Sequence, residues 1–146
     1  MATTNTGVFP VYENQFKIGA SEDNLSTIAD LENCSVSFDN GIEEWTPFDT
    51  AGWKRRLPTA KSITISISGK RNVGDTGNDF VASLAFKNGH DAEACFVWTF
   101  PDGTEVMFQN AVISVTNIGT GDSTTVGGLE FEVQSNGKPT VKLPTE

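Results

Sequence analysis

The chain is poor in the side chains that most chemistry requires. Among 146 residues there is one histidine, His90, and there are two cysteines, Cys34 and Cys95. Two cysteines at this distance match no metal-ligand spacing and no disulfide framework. His90 sits in the turn-like Lys87-Asn88-Gly89-His90-Asp91, where no nucleophile motif stands near it for a general base to activate. Long apolar runs are also missing, so no segment approaches the roughly 20 residues of a membrane helix. The start, Met1-Ala2-Thr3-Thr4-Asn5-Thr6, has neither a basic nor an apolar region, and no secretory signal is expected from it. Basic residues are scarce: 10 Lys and Arg stand against 19 Asp and Glu, a formal charge of −9. With 37% hydrophobic and only 20% charged residues, the composition nevertheless suits a folded chain rather than a disordered one. The expectation is a single acidic, soluble domain over residues 1–146, made in a cytoplasm and able to bury a core without staples.

What charge there is falls unevenly. Lys54, Arg55, Arg56, Lys61, Lys70 and Arg71 form a basic block, and no acid lies between Asp49 and Asp75. Such a run suits a solvated edge, a phosphate-binding patch, or a contact with acidic surface on another copy. The last is a heterologous contact of the kind that builds rings or filaments.

Period-two alternation dominates and predicts a mainly β fold. Cys34, Val36 and Phe38 alternate with Ser35 and Ser37. Asn40-Gly41 then reads as a tight hairpin turn, with a return strand from Ile42 to Trp45. Ile63, Ile65 and Ile67 alternate with Thr64 and Ser66, the cleanest strand of the chain. Ala94, Phe96, Trp98 and Phe100 share a face ahead of a Pro101-Asp102-Gly103 turn, whose partner strand runs from Thr104 to about Thr116. Leu129, Phe131 and Val133 alternate with Glu130, Glu132 and Gln134, and Asn136-Gly137 suggests a last hairpin returning over Thr140 to Leu143. Apolar residues at 80, 81, 84 and 85 form a helical stripe, with Asn78 as cap and Lys87 and Gly89 at the far end. The architecture predicted is a β-sandwich or open barrel with one short flanking α-helix. Residues 1–24 read as an N-terminal arm with one strand near Phe16, and 46–60 as a long inter-strand loop carrying Trp53 and three cations. Trp beside Arg favours a contact surface.

Other chemical readings fall short. Cys34, on an apolar face, reads as a small buried hydrophobe, and Cys95 on the opposite parity as an exposed thiol. Asp75-Thr76-Gly77-Asn78-Asp79 lacks the ligand order and distal Glu of a calcium loop. Glu130 and Glu132 share one strand face, which suits an exposed polar surface better than a glycosidase pair. No catalytic residue, metal ligand or cofactor site is expected.

Three stretches resemble one family: Glu44-Trp45-Thr46-Pro47-Phe48 with Gly52-Trp53-Lys54-Arg55-Arg56-Leu57-Pro58-Thr59, then Lys61 through Arg71, and Trp98-Thr99-Phe100-Pro101-Asp102-Gly103-Thr104. With Gly74 to Val81 and Val115 to Phe131, the likeness spans residues 28–139 in order. The chain resembles the major tail (tail tube) proteins of long, non-contractile-tailed phages. The resemblance implies a β-sandwich with a flanking helix, assembling as hexameric rings stacked into a hollow tube. It places the protein in a virion tail, without catalysis, cofactor or membrane insertion. The implied partners are other copies and the terminator, tape measure and tail-tip proteins, with DNA passing through the lumen unbound. Trp45, Trp53, Lys54, Arg55 and Arg56 become the expected inter-subunit contacts. Two polar faces compete for the lumen: Ser35, Ser37, Thr64 and Ser66, or Glu130, Glu132 and Gln134. The alternatives are a carbohydrate-binding sandwich docking through Trp45, Trp53 and Trp98, another tail ring, or the tube of a tail-like bacteriocin.

Overall fold

A computed structural model describes residues 7–144. Eight antiparallel strands and one short helix follow in the order β1 (Gln15–Gly19), β2 (Ser26–Thr27), β3 (Leu31–Trp45), β4 (Arg55–Lys70), α1 (Thr76–Ser83), β5 (Glu93–Thr99), β6 (Glu105–Ile118), β7 (Gly128–Gln134) and β8 (Thr140–Lys142). They form one sheet in the order β2-β1-β5-β6-β7-β4-β3, with β8 also on β6. The mainly β architecture with one short helix is as the alternation predicts.

Strand β6 is the hinge of the sheet. From Glu105 to Val112 it pairs with β5, and from Val112 to Ile118 with β7. Asn110, in the left-handed region at φ 58°, stands just before the change of partner, in a bulge of β6 where Gln109 and Asn110 face the single residue Cys95. The two half-sheets enclose one core. Phe16, Ile18, Phe96 and Phe108 come from one half, and Ile65, Ile67, Ile113, Phe131 and Val133 from the other. Each such side chain contributes about 1.5–3 kcal/mol by leaving water. Helix α1 adds Val81, and Leu84 follows from the turn behind it.

Several local expectations give way to long-range pairing. Asn40-Gly41 is not a turn. Strand β3 runs through it paired with β4, with a bulge just beyond it where Thr59 is the extra residue. The chain reverses instead at Ala51 and Gly52, both at positive φ, so the connection is residues 46–54 and Arg55 to Ala60 belong to β4. The helix begins earlier than the stripe suggests, because Asp75 is its cap: its carboxylate accepts the Asn78 N–H at 3.0 Å. It also ends earlier, at Ser83, before Lys87 and Gly89. Gly77 lets the helix lie against β2, since a Cβ there would meet the Thr27 carbonyl oxygen at 2.5 Å. Strand β8 returns not along β7 but beside the start of β6, pairing Val141 with Val106. Of the expected arm, residues 1–6 lie outside the described residues, and β1 is an integral strand on β5.

Both cysteines are free. Cys95 is buried, correcting the exposed thiol expected of it, and Cys34 is half-buried. Burial pushes both thiols up from their ordinary pKa, with the Glu22 charge adding to the effect at Cys95.

Candidate functional site

Strands β6, β7, β4 and β3 carry every second side chain to the face away from the core. Ser114, Glu132, Ser66 and Ser35 form one row across the four strands, and Val112, Gln134, Thr64 and Ser37 the next. Asn117, Glu130 and Ser68 lie in a third, with Asn33 opposite Ser68. The two polar faces that compete in the sequence are therefore one surface. Its hydroxyls and carboxylates are mutually engaged: Ser66 Oγ donates to Glu132 at 3.5 Å, and Asn117 Nδ2 to Glu130 at 3.2 Å. Asp39 extends the acidic surface opposite Ser62. Lys70, at the far end, is held by Glu32 at 3.2 Å.

This four-stranded sheet has two unpaired edges. Among the described residues, strand β3 pairs only with β4 along its length. Beyond Val112, β6 has β7 on one side and no strand on the other among the described residues. Backbone N–H and C=O groups along such edges are a template for pairing with another chain.

The β3–β4 hairpin outruns the sheet. Its last pairing with β7 is Thr64 to Gln134, secured by Ser135, whose Oγ accepts from the Ile63 N–H at 2.9 Å. Beyond that point a two-stranded ribbon projects about 23 Å at 3.3 Å per residue. Phe38 (56% exposed), Ile42, Leu57, Phe48 and Trp53 (79% exposed) all face water. A lone ribbon with this much apolar surface is marginal in water and calls for a partner.

The predicted contact residues gather at the ribbon tip, though their own chain already engages most of them. Glu44 accepts from Arg56 at 3.0 Å and from Lys54 at 3.3 Å. Those two cations, Arg56 first, hold its carboxyl below the ordinary value. The Arg55 guanidinium lies 5.8 Å from the Trp45 ring centroid and makes no ion pair among the described residues. At the other end of the block, Arg71 binds Asp79 at 2.9 Å. The acid-free block of the sequence thus meets acids in space. Trp98 does not join the tip: it is half-buried, stacks on Phe16, packs at a tilt on Phe100 and donates its indole N–H to Asn14 at 3.0 Å.

Sequence reading missed a polar hub. Asn78 is fully buried. Its Oδ1 accepts from Arg71 at 2.8 Å and from the Asn72 N–H at 3.1 Å, while its Nδ2 donates to the carbonyls of Ala29 and Lys70. Asp75 adds a bond from the Ala29 N–H at 3.1 Å. The run Asp75 to Asp79, superficially calcium-like, is thus a clasp between helix and sheet. The Arg71 hydrogen bond, then the Gly74 N–H, lower the Asp79 pKa. A depressed carboxyl adds stability that is fully present above its unfolded pKa and lost as pH falls through the folded value. Urea midpoints of the native protein and Asp79→Asn should accordingly differ at neutral pH and converge below the carboxylate range. A gap that persists in acid would remove the ion pair as its cause.

His90 is 96% exposed in its side chain, and its Nδ1 lies 3.0 Å from the Glu93 carboxylate. Among the described residues, no three His, Cys, Asp or Glu side chains gather as a metal site.

No protein-family model and no curated protein matches the chain in sequence. Solved structures do match its fold. The tail of an empty gene transfer agent particle, determined with C6 symmetry, superposes with TM-score 0.74 at 19% identity, covering 92% of this chain and 99% of that one. The tube-terminating cap of an anti-feeding prophage matches with TM-score 0.63 at 13% identity, over 97% and 95%. The sheath–tube complex of an extracellular contractile injection system matches with TM-score 0.58 at 16% identity, over 93% and 92%. The chain has the fold of tail tube proteins.

Proposed function

We propose that the protein is a structural, non-enzymatic tail tube subunit, whose copies close into hexameric rings and stack into a hollow, acidic conduit for DNA in a virion tail. The observation that carries this reading is the four-stranded sheet with one acidic, hydroxyl-rich face and two unpaired edges. Strand directions alternate across β6, β7, β4 and β3. Rotation about a tube axis preserves direction, so β3 of one copy meets β6 of the next antiparallel, and every junction continues the ladder. Closure satisfies both edges at once. Six copies give a barrel of roughly 24 strands, beyond the 16–18 that already leave an aqueous channel in porins.

The polar face then lines the channel. Glu130, Glu132 and Asp39 repel phosphate, and Ser35, Ser37, Thr64 and Ser66 offer a smooth neutral surface. A conduit that bound its cargo would stall it. The ribbon, with Trp45, Trp53, Lys54, Arg55 and Arg56 at its tip, reaches neighbouring copies. Terminator, tape measure and tail-tip proteins are the further partners, and synthesis takes place in the host cytoplasm. Negative-stain electron microscopy across a concentration series tests the reading. Hollow tubes or stacked rings of one diameter are expected. Particles that stop at one ring favour the second reading, a terminator, which the likeness to a tube-terminating cap supports.

A further inference from the structure

The dipeptide Asn-Gly occurs three times, at Asn40-Gly41, Asn88-Gly89 and Asn136-Gly137. In this pair the glycine has no Cβ to keep its backbone nitrogen away from the asparagine side chain. The nitrogen can therefore attack the side-chain carbonyl and expel ammonia, provided that the backbone is free to turn. The fold puts the three copies of the motif in three different settings.

Asn40 and Gly41 lie inside β3, paired with Lys61 and Ala60 of β4. Attack by the Gly41 nitrogen requires ψ of Asn40 to rotate far from the value of about +135° that an antiparallel strand holds. Ring closure there must wait for the ribbon to open. Asn88 is exposed and extended, at φ −136° and ψ 162°, and its side chain makes no cap hydrogen bond. Its carbonyl accepts from the Asp91 N–H at 3.2 Å, which restrains it by one bond. Asn136 and Gly137 are exposed between β7 and β8. Gly137 is at φ 89°, and a Cβ there would meet nothing within 4 Å. Among the described residues, neither Asn136 nor Gly137 makes a hydrogen bond.

We infer that Asn136-Gly137 is a self-modification site, that Asn88-Gly89 is a slower one, and that the β3–β4 ladder protects Asn40-Gly41. At the fast site the Gly137 nitrogen gives its proton to solvent base and bonds to Asn136 Cγ. The Cγ–Nδ2 bond breaks and ammonia leaves, closing a five-membered succinimide. One water then adds to either ring carbonyl and opens the ring to aspartate or isoaspartate. One water is consumed and one ammonia released, with no change of oxidation state. Each event adds one negative charge to the chain's −9, and the isoaspartate route adds a carbon to the main chain. At Asn136 that carbon enters a loop rather than a ladder, one residue beyond Ser135, which fastens β7 to Ile63. The fold therefore accommodates it. This inference does not rest on the tube reading, since it concerns the single folded chain.

The purified protein, aged in mildly alkaline buffer and digested, is read by peptide mass spectrometry as replacement of the amide NH2 by OH at each asparagine. Conversion is expected in the order Asn136, Asn88, Asn40, with Asn40 at least about tenfold slower than Asn136. In concentrated urea the three should converge on similar rates, because the motif is the same and the fold is gone. Methyl transfer by an isoaspartyl methyltransferase gives a second reading: aged native protein should be labelled, and Asn136→Gln should lose most of the label. Asn40 converting as fast as Asn136 in the folded protein, or the native order persisting in urea, would overturn the inference. So would a label that Asn136→Gln leaves unchanged.

Discussion

Asn78→Ala is expected to lower the unfolding free energy by about 3–5 kcal/mol, a large share of the 5–15 kcal/mol of an ordinary domain. The substitution leaves a methyl group where the amide makes four hydrogen bonds. The stranded partners are a half-buried guanidinium nitrogen, one N–H and two carbonyls, and each costs about 1–3 kcal/mol if water does not reach it. Partial hydration through the Arg71 side keeps the total below the full sum. Asn78→Asp separates the two halves of the hub. It keeps the acceptor for Arg71 and Asn72 but loses the donor to Ala29 and Lys70, and places a second carboxylate beside Asp79. A buried carboxylate oxygen then faces two carbonyl oxygens, acceptor against acceptor, so the loss for Asn78→Asp should be at least that of Asn78→Ala. Urea denaturation read by Trp fluorescence measures all three, and a loss under 1 kcal/mol for Asn78→Ala would mean that the clasp does not hold helix to sheet.

The clasp also shows where sequence reading stops. Asn78 invites a capping role because it precedes an apolar stripe, and Asp75 three residues earlier satisfies the same rule. Local spacing cannot rank them; the approach of Ala29 and Lys70 can, and it is set by distant pairing. Ile63, Ile65 and Ile67 were legible because period-two alternation on a half-buried sheet needs no partner to be recognised. Asn40-Gly41 misled for the converse reason. The dipeptide favours a turn when left alone, but a 16-residue partner strand offers a ladder hydrogen bond at nearly every position, and the tertiary context wins. Strand β8 was located correctly while its partner was not, since pairing with the start of β6 joins residues 35 or so apart. The tip residues were legible as a group from composition, but not that Glu44 binds two of them. Least legible was the unity of the polar face, whose serines and glutamates lie nearly a hundred residues apart until β4 pairs with β7.

That unity makes the second large prediction possible. Glu130→Lys with Glu132→Lys should leave subunits folded and tubes assembled, because Glu130 is exposed, Glu132 only half-buried, and both point away from the core. It changes the charge of each copy by +4 on the face assigned to the channel. Repeated around every ring, the reversal turns a phosphate-repelling wall into a dense cationic one. Linear duplex DNA carries about one charge per 1.7 Å and binds such a surface by releasing counterions. Tubes of the double variant should therefore retain duplex DNA at low salt and lose it steeply as salt rises, whereas native tubes retain none. Particles with the variant tube should show arrested DNA exit. The bonds sacrificed are those from Asn117 to Glu130 at 3.2 Å and from the Ser66 hydroxyl to Glu132 at 3.5 Å, and surface substitutions of this kind usually stay within about 0.5 kcal/mol, so unfolding midpoints check that the effect is electrostatic. The comparison also discriminates between faces. If the glutamates pointed outward, DNA would coat the tube exterior and remain open to nuclease. DNA held in the lumen would be protected along the tube length and exposed only at its ends.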